Sequence, residues 1–141
     1  MKGEPGVVLR VFRGDAAGGV EREYRVPVLP GMVVLDAIHW IQAHEDGTLA
    51  VRWNCKAARC GSCGAEVNGR PRLLCKTRVD EFGDEPISVW PMRTFPVIRD
   101  LVNDVSFNYE VNRRITPFTP DEPGPFRMAQ EDVSRVQEFR R

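Results

Sequence analysis

The chain has 141 residues, 42% of them apolar, and its 20 basic and 20 acidic side chains cancel to no net charge. That length suits one domain with an appendage and a sizeable core, and the charge balance argues against nucleic acid or an anionic membrane surface as the main partner. No apolar run approaches the roughly 18 residues of a membrane-spanning helix, and Met1-Lys2-Gly3-Glu4-Pro5-Gly6 lacks the apolar stretch of a secretory signal. The sequence therefore predicts a cytoplasmic protein with reduced thiols, linked to a membrane only through another subunit.

Residues 7–13 set Val7, Leu9 and Val11 against Val8, Arg10 and Phe12. This alternation, rich in β-branched side chains, predicts a strand, and Gly14-Asp15 with Gly18-Gly19 supplies a turn. Residues 20–29 alternate again, with Tyr24, Val26 and Val28 facing away from Glu21, Glu23 and Arg25, and form the second arm of a hairpin. Pro30-Gly31 ends it. Residues 33–43 predict a helix, because Val34, Ile38 and Ile41 recur at i, i+4 and i+7 with Leu35 beside them. His39 lies on the opposite side with Asp36 and Ala43 and is expected to face solvent. His44 is expected to meet the last helix carbonyls, and Trp40 to pack at the core or its edge.

Residues 50–53 are extended and lead into the stretch from Cys55 to Cys75, which holds all four cysteines in the spacing C-x4-C-x2-C-x11-C. Three closely spaced cysteines followed by a distant fourth is the plant-type spacing for a 2Fe-2S cluster. Cys55, Cys60 and Cys63 share one loop, so three thiolates converge with little chain to order. Asn68-Gly69 is a strong signal for a type I′ hairpin turn; folding about it pairs Val67 with Arg70 and, further out, Ser62 with Cys75, which returns the fourth cysteine beside Cys63. Gly61 and Gly64 flank the third ligand, where backbone must pass close to a ligand or turn left-handed. A four-thiolate centre carries a formal charge of about −2 oxidised and about −3 reduced. Inward N–H groups would offset that charge, with Lys56 and Arg59 adding screening. Trp53 and Leu74 are expected either to shield the cluster or to be ordinary core residues.

Other chemistries can use four cysteines. Two disulfides belong to oxidising compartments, and a structural zinc site pairs two close couples where this chain has only Cys60 and Cys63. Rieske ligation needs two histidines within the cluster motifs, and neither His39 nor His44 is placed there.

Residues 78–86 form a polar connection and residues 86–90 a closing strand. Two strands, a helix, a ligand-bearing hairpin and a final strand describe a mixed sheet packed on one helix, so the fold class is α+β with a β-grasp, 2Fe-2S ferredoxin-like architecture. Beyond it, Val97, Ile98, Leu101, Val102 and Val105 recur at helical spacing and predict a helix over 97–109. Residues 115–125 hold four prolines and one glycine, which excludes regular structure there. A second helix is predicted over 128–141, with Val133, Val136 and Phe139 as a thin apolar stripe. The expected division is a cluster domain over residues 1–96 and a C-terminal helical extension over 97–141, where exposed Ile98, Leu101 and Val105 would favour self-association.

Three blocks resemble the iron-sulfur subunit of succinate dehydrogenase and fumarate reductase, complex II. They are Asn54-Cys55 to Cys75 with Cys60-Gly61-Ser62-Cys63 and Asn68-Gly69; the run from Pro91-Met92-Arg93-Thr94-Phe95-Pro96 to Leu101-Val102; and Arg127 to Arg141. The second block separates the chain from molybdenum hydroxylases, whose 2Fe-2S domains have similar cysteine spacing. The resemblance implies an electron-transfer module with Cys55, Cys60, Cys63 and Cys75 as ligands. Arg59, Gly61, Ser62 and Gly64 would tune the cluster through hydrogen bonds to sulfur, and no residue would act as acid, base or nucleophile. It further implies a FAD-containing flavoprotein partner, membrane-anchor subunits reached through a later domain with 4Fe-4S and 3Fe-4S clusters, and a place on the inner face of the cell membrane. No cysteine follows Cys75, and the sequence stops where that later domain would begin. A stand-alone ferredoxin and a zinc-binding interaction module are the rival readings.

Overall fold

The computed structural model describes residues 6–116. The chain divides into two compact units, one ending at Ser106 and the other beginning at Phe107.

In the first unit, β1 (Gly6–Asp15) and β2 (Gly18–Pro27) form the expected hairpin, in register from Gly6 opposite Pro27 to Asp15 opposite Gly18. Helix α1 (Val34–His44) follows, then the hairpin of β3 (Gly64–Val67) and β4 (Arg70–Leu73), a 3-10 turn over Val79–Phe82, and β5 (Ile87–Trp90). β1 is the hub of the sheet: β2 lies antiparallel to it, β5 runs parallel to it, and β3 pairs with β5. The mixed sheet on one helix confirms the α+β, ferredoxin-like class.

The core forms where two periods meet. The period-2 stripe Val7, Leu9, Val11 of β1 and Tyr24, Val26 of β2 faces the helical stripe Val34, Leu35, Ile38, Ile41, and all are buried. Ala65, Val67, Ile87 and Val89 extend the same layer. Phe12 points to the other face and is buried against Trp90, with ring centroids 4.8 Å apart. α1 begins without a Ser, Thr, Asp or Asn cap. Instead, Asp36 accepts a hydrogen bond from the Val33 N–H at 3.2 Å, and the free N–H groups of Val34 and Leu35 donate to the carbonyls of Thr77 (2.9 Å) and Leu74 (3.1 Å). The helix start is thus tied to the segment around Cys75.

Of the helix expected over 97–109, only residues 106–109 are helical, and residues 97–103 form two short strands and the turn between them instead. Val97–Arg99 is β6 and Val102–Asn103 is β7, joined to the sheet by the pairing of Asp15 with Arg99. Asp100 adopts a left-handed backbone, φ 49°, which turns the chain at once. Its buried carboxylate accepts hydrogen bonds from Gly14 N–H (3.0 Å) and Ala50 N–H (2.9 Å) and lies 3.1 Å from Arg13 Nε. Asn103 clamps the preceding loop: its Oδ1 accepts from Met92 N–H, and its Nδ2 donates to the Met92, Phe95 and Pro96 carbonyls. Leu101 enters the core, so of the three residues expected to form an exposed patch, Ile98 is exposed, Val105 is half-buried and Leu101 is buried.

α2 (Ser106–Arg114), which lies in the second unit from Phe107 on, exposes Phe107, Tyr109 and Val111 and carries an Arg113–Glu110 ion pair. The helix expected over 128–141 lies outside the described residues.

Candidate metal centre

Between Val51 and Cys63 the chain forms no helix or strand, and from Trp53 to Gly61 it is exposed. Lys56 (φ 51°), Ala58 (φ 56°) and Gly61 (φ 72°) all take left-handed backbone. Only glycine does so without strain; the others cost roughly 1–2 kcal/mol each. The result is a set of N–H groups turned toward one sulfur. Ala57, Arg59 and Cys60 donate to Cys55 Sγ at 3.3, 3.4 and 3.4 Å, and Ser62 N–H donates to Cys60 Sγ at 3.5 Å. Successive N–H groups turned inward form an anion cradle. At Gly61 there is open space where a Cβ would stand, so conformation alone asks for glycine; at Gly64 a Cβ would lie 3.3 Å from the Gly61 carbonyl oxygen.

The fourth cysteine arrives as expected. Asn68 (φ 48°) and Gly69 (φ 74°) make the turn with both central residues left-handed. Asn68 is further pinned to β5, its side-chain oxygen accepting from Ser88 N–H at 2.7 Å. The register runs from Val67–Arg70 to Gly64–Leu73, and Leu74 N–H then donates to the Cys63 carbonyl at 3.1 Å. Cys75 follows, half-buried, while Cys63 is buried and Cys55 and Cys60 are exposed.

The thiols fall into two couples. Cys60 is drawn down to about 6, first by the Ser62 hydroxyl and then by the N–H groups and thiol around it from Cys55 and Ser62. Cys63 is pushed up, first by burial; beside it, the Cys75 N–H opposes that rise while the Cys75 thiol adds to it. All four cysteines are free of disulfides. Among the described residues no three His, Cys, Asp or Glu side chains gather tightly enough to enclose a single ion. A dinuclear centre does not ask for that, since four thiolates are shared between two irons. The two couples, the inward N–H groups and the exposed loop fit such a centre.

Beside the loop, Trp53 is 48% exposed, whereas Leu74 is fully buried in the core. The Trp53 ring meets His39 of α1 edge-on, with centroids 4.9 Å apart, and the Lys56 ammonium lies 4.9 Å from its centre. His39 therefore does not face solvent as its place on the helix predicted. Residues 53–56 fold over that side of α1, enclose His39 Nε2, which has no hydrogen-bond partner among the described residues, and lower the basicity of the ring, first through burial and then through Lys56. His44 behaves as expected, its Nδ1 3.0 Å from the Trp40 carbonyl. The left-handed Lys56 and Ala58, and the carbonyls that fasten Cys75 to α1, were not singled out from sequence; the small pair Ala57-Ala58 inside the cysteine loop was the one available signal for the first.

The mixed sheet on one helix, with two thiol couples on a loop and a hairpin end, has the architecture of a ferredoxin-like iron-sulfur protein. The sequence model of the 2Fe-2S iron-sulfur cluster binding domain family matches residues 8–110; the chain belongs to that family, and its cofactor is a 2Fe-2S cluster. The chain is 38% identical over 122 residues to the fumarate reductase iron-sulfur subunit of Mycobacterium tuberculosis, covering 82% of this chain and 49% of that protein. It is 31% identical over 130 residues to the succinate dehydrogenase iron-sulfur subunit of Bacillus subtilis, covering 82% and 51%. A chain of the Mycobacterium smegmatis Sdh1 complex in the apo form shares its fold with a TM-score of 0.82 and 58% identity, over 98% of this chain and 59% of that one. The chain spans about half the length of these two curated relatives.

Proposed function

We propose that this chain is the 2Fe-2S part of an iron-sulfur subunit that carries single electrons from a FAD-containing flavoprotein toward further iron-sulfur clusters and quinone, as a succinate dehydrogenase or fumarate reductase requires. The similarity to iron-sulfur subunits of both enzymes supports this placement. In this reading Cys55 with Cys60, and Cys63 with Cys75, supply the thiolates of the two irons. A centre of this kind supplies reversible one-electron chemistry. The chain's residues set where that happens and at what potential. Arg59 contributes through its N–H to Cys55 Sγ and Ser62 through its N–H and hydroxyl toward Cys60, while Gly61 supplies the turn and Gly64 the close passage. Exposed Lys56 and Arg59 offset negative charge, and exposed Cys55 and Cys60 leave a short path to a partner.

The observation that carries the reading is the loop itself. Left-handed Lys56 and Ala58 are strained although the loop is exposed, and they aim three N–H groups at one sulfur. Strain of this kind marks functional sites. We further place the protein on the cytoplasmic face of the membrane, held by anchor subunits through a second domain; among the described residues no helix is long and apolar enough to cross a membrane. Anaerobic reconstitution tests the ligand assignment. The full chain should bind about two irons and two sulfides, and Cys60→Ala should lose the visible absorbance. One zinc per chain, or a full cluster signal in Cys60→Ala, contradicts it.

A further inference from the structure

Cys75 sits in the middle of a turn, and the structure shows what closes that turn. Directly after β4 the Leu73 carbonyl accepts hydrogen bonds from Lys76 N–H (3.0 Å), Thr77 N–H (3.1 Å) and the Thr77 hydroxyl (2.9 Å). Thr77 is 4% exposed, and a buried hydroxyl is tolerated where it finds such an acceptor. The two shoulders of the turn are held from outside. The Leu74 carbonyl accepts from Leu35 N–H and the Thr77 carbonyl from Val34 N–H, at 3.1 and 2.9 Å. Both donors belong to the first turn of α1, whose Val34, Leu35 and Ile38 are locked in the core. Cys75 is therefore bracketed by bonds to a rigid helix whose positive end lies against its segment.

We propose that Thr77 is the positioning residue of the fourth thiolate: by closing the 73–77 turn onto α1 it fixes where the Cys75 sulfur meets the other three and keeps the positive helix end beside it. The inference rests on the ligand reading above and adds to it a residue that the cysteine spacing does not contain. Reduction adds negative charge to the centre, so a nearby helix N-terminus stabilises the reduced form more than the oxidised one. A turn that slackens moves that end away and makes reduction harder.

Three variants of the full chain test this after reconstitution. Thr77→Val removes the hydroxyl at nearly constant shape, and Thr77→Ser keeps it. Val34→Pro deletes the N–H that holds the Thr77 carbonyl; proline fits the first helical position, and Val33 before it is already extended, at φ −102° and ψ 162°. Iron content, the EPR spectrum of the reduced protein, the midpoint potential and thermal unfolding are measured for each. Thr77→Val and Val34→Pro should shift the potential to more negative values and alter the EPR g-values, while Thr77→Ser stays native. Loss of iron in Thr77→Val with full iron in Thr77→Ser also supports the proposal. Native g-values with an unchanged or raised potential in Thr77→Val and Val34→Pro overturn it, even if both melt earlier. An unmutated chain that takes up no iron overturns the ligand reading as well, so the two failures are told apart.

Discussion

Single residues decide the chemistry of the cysteine loop, and two of them can be weighed separately. Gly61 is left-handed with open space around the missing Cβ. Gly61→Ala should therefore destabilise the protein by about 1–2 kcal/mol through backbone strain alone, read from urea unfolding, with the cluster still bound; loss of the cluster would mean that the space is needed after all. Asp46 offers a pH test. Its carboxylate accepts from the Thr48 hydroxyl, Arg13, Arg22 and Tyr24. These partners, Thr48 foremost and then Arg13, hold it well below the ordinary value of 3.8. A carboxyl lowered on folding contributes stability above its unfolded value and loses that stability as the pH falls through the folded one. Unfolding free energy should thus decline steadily below about pH 4, and Asp46→Asn should flatten that decline while costing about 2 kcal/mol at neutral pH. An unchanged acid slope in Asp46→Asn would contradict the assignment. The four cysteines and Gly61 were legible in the sequence because spacing and residue type alone carry their meaning. Lys56, Ala58 and Thr77 were not, since nothing in a lysine, alanine or threonine announces a left-handed turn or a clamp.

Among the elements, hydrophobic period was a good guide where one face is buried and one is wet. β1, β2 and α1 fall within a few residues of their predicted bounds, and the Asn68-Gly69 turn fixed the register that returns Cys75 to Cys63. The same reasoning failed over 97–103 and held only for 106–109, which are helical. Val97, Ile98, Leu101 and Val102 fit a helical template, but the short hairpin of β6 and β7 satisfies them equally and gains the buried Asp100 contacts to Gly14, Ala50 and Arg13. Those partners are 50 to 87 residues away in sequence, beyond the reach of any local pattern. Asp100→Ala separates the two structures. Alanine favours a helix, so in a helix it would stabilise or do little. In the observed turn it removes two hydrogen bonds and an ion-pair partner, and unfolding should show a loss of about 3 kcal/mol. His39 failed for a related reason: its face of α1 is polar by sequence, yet the loop at Trp53 covers it.

For the whole molecule, the fold is a device for bringing an exposed loop and a hairpin end to one place while the helix that fills the core also anchors the fourth cysteine. A disulfide at Cys55 would leave the inward N–H groups there without a negative charge to offset. A free-standing ferredoxin would use the same ligands, so the decisive quantity is the energy at which the electron is held. Plant-type ferredoxins sit near about −400 mV, whereas a carrier between succinate-level flavin and quinone must lie well above that. A redox titration of the reconstituted full chain, followed by EPR, measures this directly. The account predicts one unpaired electron per reduced cluster and a midpoint far above the plant-type value. A midpoint near about −400 mV would contradict the proposed role, and a chain that shows no reducible 2Fe-2S signal would contradict the site itself.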